Sequence, residues 1–303
     1  MPVHGLPEPT PVQPAQELIA ALLARCPDLT LGRAVTCGVS GGPDSMALLA
    51  LACAAGCVVT AVHVDHGLRP GGAAEAALVA GTATRFGARF RAVTVDVGAG
   101  PNQEARARAA RHAALGPDAL TGHTADDQAE TMLINLLRGG ALNGLAGMRR
   151  ERHPLLALRR AETHALCAVL GLNVVTDPTN ASAVHLRNRV RGELLPALNE
   201  LAGRDLVPVL TRQATLWRDD VDLLDELAAG IDVTKATALA AAPIALARRA
   251  VRAWLTGEHP PDLAAVERVL SVAGGEIEAC EVDGGRRVVR HRQRLSLEAR
   301  PLR

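Results

Sequence analysis

The sequence predicts an α/β protein, with a doubly wound parallel sheet followed by a smaller, mostly helical C-terminal domain. Three observations carry this. Between residues 33 and 138, short apolar runs alternate with longer helical stretches, the pattern of repeated βαβ units. Glycine-rich or polar turns follow those runs, at the strand ends where open parallel sheets bind ligands. Past Gly139–Gly140 the alternation fades, and from about 205 a long amphipathic helix opens a second region.

The elements follow in order. Residues 1–15 carry five prolines (Pro2, Pro7, Pro9, Pro11 and Pro14) and read as an irregular lead-in. Arg33–Val39 reads as a strand, 43–55 as a helix, Cys57–Val64 as a strand and 71–86 as a helix. Arg89–Val97 is a third strand, 102–115 a helix, Ala119–Gly122 a short strand and 124–138 a helix. Residues 160–171 and 184–200 are helical and joined through the turn signal Asp177-Pro-Thr-Asn180. The long helix runs to about Ala229, and Asp283-Gly-Gly285 splits 277–298 into two strand-like runs, as a hairpin turn does. The expected domains are therefore 16–200, with a helical extension from about 140, and 201–303.

Composition narrows the functional classes. Among 303 residues, 33 basic side chains face 32 acidic ones, which excludes a histone-like polycation but not a local basic patch. Lys235 is the only lysine, and Phe86, Phe90, Trp217 and Trp254 are the only aromatics, an imbalance typical of a GC-rich genome. Six scattered cysteines (Cys26, Cys37, Cys53, Cys57, Cys167 and Cys280) form no CxxC pair and no disulfide framework. No basic segment with an apolar run opens the chain, and no 18 consecutive residues are apolar, so a cytoplasmic location is expected.

The strongest local feature is Ser40-Gly-Gly-Pro-Asp-Ser45, directly after the first strand. Gly41 and Gly42 permit tight turns, Pro43 suits the first helical position, and the unpaired amides with the Ser40 and Ser45 hydroxyls make an anion cradle. A glycine turn with an ordinary helix cap is the plainer alternative. GxxxxGK[ST] is absent, and the glycines lack GxGxxG spacing, which excludes Walker-type and dinucleotide loops. A carboxylate beside polyphosphate repels it unless a cation intervenes, so Asp44 implies Mg²⁺.

These residues match the SGGxDS motif of the PP-loop adenylating enzymes. His63-Val-Asp-His-Gly-Leu-Arg69, Glu104-Ala-Arg-Ala-Arg-Ala-Ala-Arg111 and Gly122-His-Thr-Ala-Asp-Asp-Gln-Ala-Glu-Thr131 follow. Then come Leu137-Arg-Gly-Gly140, Gly144-Leu-Ala-Gly-Met148, Pro154-Leu-Leu156, Asp177-Pro-Thr-Asn180 and Arg187-Asn-Arg-Val-Arg191. From about 33 to 200 the ordered series resembles the tRNA(Ile)-lysidine synthase family, in a short form. The resemblance implies a five-stranded PP-loop sheet of the adenine nucleotide alpha hydrolase type. It implies ATP as a substrate with Mg²⁺, tRNA(Ile) with a CAU anticodon and free L-lysine as partners, and no membrane; a homodimer is compatible with it. The implied reaction adenylates carbon-2 of the wobble cytidine and then joins lysine there, changing decoding from methionine to isoleucine.

On this resemblance Ser40, Gly41, Gly42, Pro43, Asp44 and Ser45 hold phosphates, while Val62, His63 and Asp65 lie near adenine. His63 and His66 read equally well as plain strand-end polar residues. His123, Asp127 and Glu130 are spaced to share one face of a helix beginning near 124. His123 would contact the transferred phosphoryl, and Asp127 and Glu130 the lysine ammonium groups. A zinc site competes but suits hard oxygen ligands beside polyphosphate less well than Mg²⁺. Arg106, Arg111 and Arg187 match family arginines that stabilise charge; Arg108 reads as a surface residue, and His112 stands where the family usually has an aromatic.

For tRNA there is one basic run at Arg149, Arg150, Arg152, Arg159 and Arg160. A second holds Arg286, Arg287, Arg290, Arg292, Arg294, Arg300 and Arg303 against Glu298 alone, a net +6. A solvated hairpin face is the alternative there, and Trp217 and Trp254 read as core. The competing functions are a PP-loop thiolation enzyme of the 2-thiocytidine type, which usually needs paired cysteines, and a catalytically silent tRNA-binding protein.

Overall fold

The computed structural model describes residues 12–67, 71–98, 100, 103–175, 186–257 and 260–299. Asp177-Pro-Thr-Asn180, Arg69, Arg300, Arg303 and the first eleven residues of the expected lead-in lie outside them. The chain forms two compact units, Met1–Ala214 and Thr215–Arg303. The division falls within a long helix and not ahead of it near residue 200.

The first unit begins with α1 (Val12–Leu23), inside the expected lead-in. Pro14 is tolerated because it lies in the first turn, whose amides have no helical acceptor. The alternation then follows as β1 (Ala34–Gly38), α2 (Pro43–Ala54), β2 (Val58–Asp65), α3 (Gly72–Arg85), β3 (Arg89–Thr94), α4 (Gln103–Leu115), β4 (Leu120–Thr121) and α5 (Ala125–Leu137). The strands are parallel in the order β3-β2-β1-β4. Among the described residues the sheet has four strands, not five. Of the described segment 172–175, the Val175 amide bonds the Gly41 carbonyl (2.9 Å).

Connections leave β1 for β2 on one side and come back to β4 on the other. The carboxyl ends of β1 and β4 therefore form the switch point at which such sheets take ligands. Helices α6 (Leu142–Leu145), α7 (Arg160–Val169), α8 (Leu186–Arg189) and α9 (Leu195–Ala202) complete the unit, with a π-helical turn over Val190–Leu194 joining the last two. Pro196 accounts for the widening. Its ring crowds the carbonyl four residues back, and the Leu195 amide reaches Val190, five back.

Helix α2 anchors the switch point. Residues Met46 to Ala52 are at most 2% exposed, so the helix is apolar all round, with β1 and β2 on one side and α1 and α7 on the other. Each buried leucine there stabilises the fold by roughly 1.5–3 kcal/mol.

Helix α10 (Val207–Ala229) spans the division. The second unit continues with α11 (Ala236–Ala241), α12 (Ile244–Leu255), α13 (Leu263–Gly274), β5 (Ala279–Val282), β6 (Arg286–His291) and β7 (Arg294–Ala299). The three strands form an antiparallel sheet in sequence order. Asp283-Gly-Gly285 makes the first hairpin turn, and Arg292–Gln293 makes a second that the sequence does not announce, with Arg292 at φ 57°. Val251, Leu255, Val269, Val272, Val288 and Leu295 form the core, and Trp254 packs on it, whereas Trp217 on α10 is half-buried outside any core cluster. Among the described residues no helix is long and apolar enough to cross a membrane.

Candidate active site

The loop after β1 is shaped by two glycines. Gly41 has φ +87°, and a Cβ there would lie 2.8 Å from the Val175 side chain. Gly122, just beyond β4, abuts the start of α2, where a Cβ would lie 2.4 Å from the Asp44 carbonyl oxygen. The Ser45 hydroxyl donates to the Gly42 carbonyl (2.8 Å) and accepts from the Ser40 amide (3.2 Å), closing the loop on itself. Gly42 caps α2 without a side-chain bond, and the first helical bond is Met46 to Gly42. The amides of Asp44 and Ser45 thus have no helical acceptor and are open to an anion, which the helix dipole favours.

One residue past Gly122, His123 meets a second histidine. Thr121 Oγ1 lies 2.7 Å from His123 Nδ1 and 2.6 Å from His153 Nδ1, and the two Nδ1 atoms are 3.2 Å apart. The rings stand edge to face at 4.7 Å. Burial pushes His123 well below the ordinary histidine range; Asp127 opposes that shift, while His153, Arg187 and Arg111 add to it. Burial likewise lowers His153, to about 4, helped by Arg152, Arg108 and His112. His123 therefore does not share a helical face with Asp127; it precedes the N-cap of α5, Thr124, and turns toward Thr121.

A network of carboxylates and guanidiniums fills the other side. Glu130 is fully buried. Arg191 Nε donates to its Oε1 (2.7 Å), Arg160 Nη1 to the same oxygen (3.1 Å), and Arg187 Nε lies 3.1 Å from its Oε2. Asp127 Oδ2 accepts the Thr124 amide and hydroxyl (both 2.9 Å), and its Oδ1 accepts Arg160 Nη2 (2.8 Å). Burial raises Asp127, yet Arg160, the Thr124 amide and His123 outweigh it and hold the carboxyl below its usual range. Arg159 forks onto Asp126 (2.9 and 3.1 Å) and also binds Asp205. Asp44 accepts from Thr163, and Arg160 Nε lies 3.6 Å from its Oδ2. Desolvation holds the Asp44 carboxyl above its usual range despite those partners.

Arg160 therefore joins the loop carboxylate to the two on α5. In the sequence Arg159 and Arg160 belong to an expected phosphate-binding run, but both are engaged inside the unit. His153 is a further site residue that the sequence does not single out, and Arg191, read there only as the end of the Arg187-Asn-Arg-Val-Arg191 run, is another without an expected role. The four-residue spacing of Arg187 and Arg191 signals a shared partner on one helical face; nothing local in the sequence signals His153.

The other expected site residues are dispersed. His63 is buried and donates from Nδ1 to the Val39 carbonyl (2.9 Å), anchoring the loop, and Val62 is buried beside it. Asp65 Oδ1 accepts the Gly67 amide (2.9 Å). Arg106 donates to the carbonyls of Val97 (3.1 Å) and Gly100 (2.8 Å), fixing the connection into α4. Among the described residues Arg111 Nε and Arg152 Nε are buried with no hydrogen-bond partner, and both guanidiniums act on the histidine cluster. Such orphaned donors suit an anionic ligand. Arg150 lies 3.8 Å from Asp28, and Arg149 shares the same short segment.

In the second unit, Arg286 donates to the Leu255 carbonyl (2.9 Å) and Arg290 to that of Ala273 (2.8 Å), so each satisfies the end of a helix. Arg294 donates to Thr234 Oγ1 (3.0 Å), and Arg287 lies opposite Glu298 in the ladder. Among the described residues no three His, Cys, Asp or Glu side chains converge as a metal site. The thiols are poorly suited to sulfur chemistry, because burial pushes Cys26, Cys53 and Cys167 up to about 11 and Cys37 to about 12.

The histidine pair makes the fold acid-sensitive. Its folded pKa values lie below the unfolded value of 6.5, so the unfolded chain binds more protons and stability declines as pH falls from about 6.5 towards about 4. Asp126 and Asp127, held below 3.8, extend the loss further down. Urea midpoints of the intact chain should accordingly drop between about pH 7 and pH 4.5; a flat profile would show that the pair takes up protons without cost.

A phosphate-cradling loop at the switch point of a parallel sheet defines a PP-loop ATP-binding domain, and the PP-loop domain model matches residues 14–198. The chain is 41% identical to the tRNA(Ile)-lysidine synthase of Nocardia farcinica, covering 88% of this chain and 92% of that protein. It is 35% identical to the synthase of Thermobifida fusca, covering 90% and 94%. The chain belongs to the tRNA(Ile)-lysidine synthase family. The fold also resembles the solved U34-tRNA thiolase NcsA of Methanococcus maripaludis, at TM-score 0.54 and 18% identity over 69% of this chain and 80% of that one.

Proposed function

We propose that this chain joins lysine to carbon-2 of the wobble cytidine of tRNA(Ile) with a CAU anticodon, in two steps. The carbon-2 oxygen attacks the α-phosphorus of ATP and pyrophosphate leaves. The lysine amine then attacks carbon-2, the bond to the adenylate oxygen breaks, AMP leaves and a proton is released. The observation that supports this most is the glycine-shaped loop at the start of α2, against which Gly122 packs one residue before His123, with Arg111 and Arg152 acting on the His123–His153 pair.

Each group has a role in that scheme. Loop amides and the Ser40 hydroxyl hold the β,γ-phosphates, Ser45 sets the shape of the loop through its bonds to Gly42 and Ser40, and Val62 to Asp65 border adenine. Arg111 and Arg187 balance charge on the transferred phosphoryl. Asp44, a hard oxygen ligand at the loop, is the residue that would hold Mg²⁺. The ion supplies charge neutralisation on the polyphosphate. Asp127 receives the ammonium of lysine at the rim of the Arg160 and Arg191 pairing, while Glu130, enclosed by guanidiniums, acts by holding them. Arg106 serves indirectly, through the connection it fixes. The cytoplasm is the proposed setting.

Incubation with ATP, tRNA(Ile) bearing CAU and labelled lysine tests the scheme. Label should enter RNA only when ATP is present, and sulfur incorporation or no label at all would overturn it.

For tRNA the proposed contacts are Arg149, Arg150, Arg287 and Arg292, with Arg286, Arg290 and Arg294 setting the shape of the strands that carry them. Deleting residues beyond 285 would remove β6 and β7 and is no clean test. The double variant Arg287→Glu, Arg292→Glu should weaken tRNA binding and lower its salt slope by about one for each phosphate no longer neutralised, with ATP binding unchanged. An unaltered slope would return these arginines to a solvated face.

A further inference from the structure

The Thr121 hydroxyl has one hydrogen and lies within hydrogen-bond distance of two imidazole nitrogens. It can donate to one Nδ1 and must accept from the other. Were both Nδ1 atoms protonated, two N–H groups would face each other at 3.2 Å, and the hydroxyl hydrogen would have no acceptor. The arrangement is satisfied only when one Nδ1 carries a hydrogen and the other does not. The two rings are thereby forced into opposite tautomers: one presents Nε2–H outward, the other an Nε2 lone pair.

The surrounding charges select which is which. Asp127 accepts the amide and the hydroxyl of Thr124, the residue after His123, which brings a carboxylate next to His123, and it acts on that ring more strongly than Arg187 or Arg111. His153 directly follows Arg152, and Arg152, Arg108 and His112 act on it more strongly than Asp127 does. A carboxylate favours an outward N–H, and guanidiniums favour an outward lone pair. We infer that Thr121 and His153 are positioning residues that lock His123 as a neutral Nε2–H donor to the phosphoryl group handled by the neighbouring loop. The hydrogen-bond order runs from His153 Nδ1–H to Thr121 Oγ1, and from the Thr121 hydroxyl to His123 Nδ1. His123 follows Gly122, where a Cβ would lie 2.4 Å from the Asp44 carbonyl oxygen, so the backbone that carries His123 runs against the start of α2. A neutral imidazole suits this position, since it gives a hydrogen bond to developing charge without having to lose a proton in the working range. No bond is made or broken at either ring.

This inference rests on the adenylation reading for its substrate, but not for its tautomer. Nitrogen chemical shifts of the imidazoles, measured on the full chain, report the tautomer without any reaction. They should show His123 as Nε2–H and His153 as Nδ1–H, unchanged between about pH 5.5 and pH 8. Thr121→Val, nearly isosteric, should mix the tautomers of His123 and lower the rate of pyrophosphate release about 10- to 100-fold, with KM for ATP little changed. It should also add an acidic limb to the pH–rate profile. Thr121→Ser should restore both. His123 found as Nδ1–H, or charged at about pH 7, overturns the inference, as does a Thr121→Val protein with unaltered rate. Failure of the unaltered protein to transfer lysine overturns the lysidine reading instead, and the nitrogen shifts still decide the tautomer.

Discussion

Glu130→Gln is expected to cost this protein both its stability and its chemistry. The side chain is 1% exposed and accepts or faces Arg160, Arg187 and Arg191. Glutamine keeps the shape but removes the charge, leaving three guanidiniums around a neutral amide whose NH₂ end can only oppose them. Breaking a buried charge network from one side costs about 3–5 kcal/mol. In a unit of this size that lowers Tm by on the order of 10 °C. Lysine transfer should fall by about 10²-fold, because Arg187 and Arg191 lose the anchor that fixes them. The comparison is Asp126→Asn, at a pair more exposed to solvent, with side chains 15% and 33% exposed, which should cost less. Calorimetry on both variants decides the matter. Equal, small shifts in Tm would mean that the three arginines find other partners and that Glu130 is not the centre of the network.

Asp44→Ala should behave in the opposite way. Desolvation already works against the charged form of Asp44, and Arg160 keeps Asp127 and Glu130 when it is gone. The variant should therefore fold with nearly unchanged Tm. Its loss is chemical: without a carboxylate for Mg²⁺ at the loop, pyrophosphate release should drop by about 10²–10³-fold, with tRNA affinity nearly intact. Pyrophosphate release assayed with intact tRNA measures the first step alone. Strong residual turnover would remove Asp44 from the metal role.

What is legible in the sequence is local. The loop after β1, the helix behind it and the start of α5 are each written in adjacent residues, because turns, caps and strand alternation are short-range matters. The network is not legible, since its partners lie far apart: Arg160 is 30 residues from Glu130, and Arg191 is 61. A run of arginines looks the same in sequence whether it meets phosphate or buried carboxylate. That is why Arg159 and Arg160 resemble an RNA face until the fold is seen. Arg286 and Arg290 mislead for a similar reason, since helix ends two or three elements back consume their hydrogen bonds. His153 becomes meaningful only when folding brings it to Thr121. In the second unit, the strand β7 is hidden because its turn uses Arg292 in the left-handed region, where glycine or asparagine would have marked it.

The encasement of α2 has a consequence for affinity. A loop carried on a mobile helix would have to be frozen whenever nucleotide arrives, and that ordering would be subtracted from the binding free energy. Here the amides proposed to meet the phosphates rise from a helix with no solvent-facing side, wedged also by Gly122 and tied at Gly41. The receptor is rigid before its ligand comes. Nucleotide binding should then show little conformational entropy loss on the protein side, and the backbone hydrogens of α2 should exchange with solvent only when the whole unit opens.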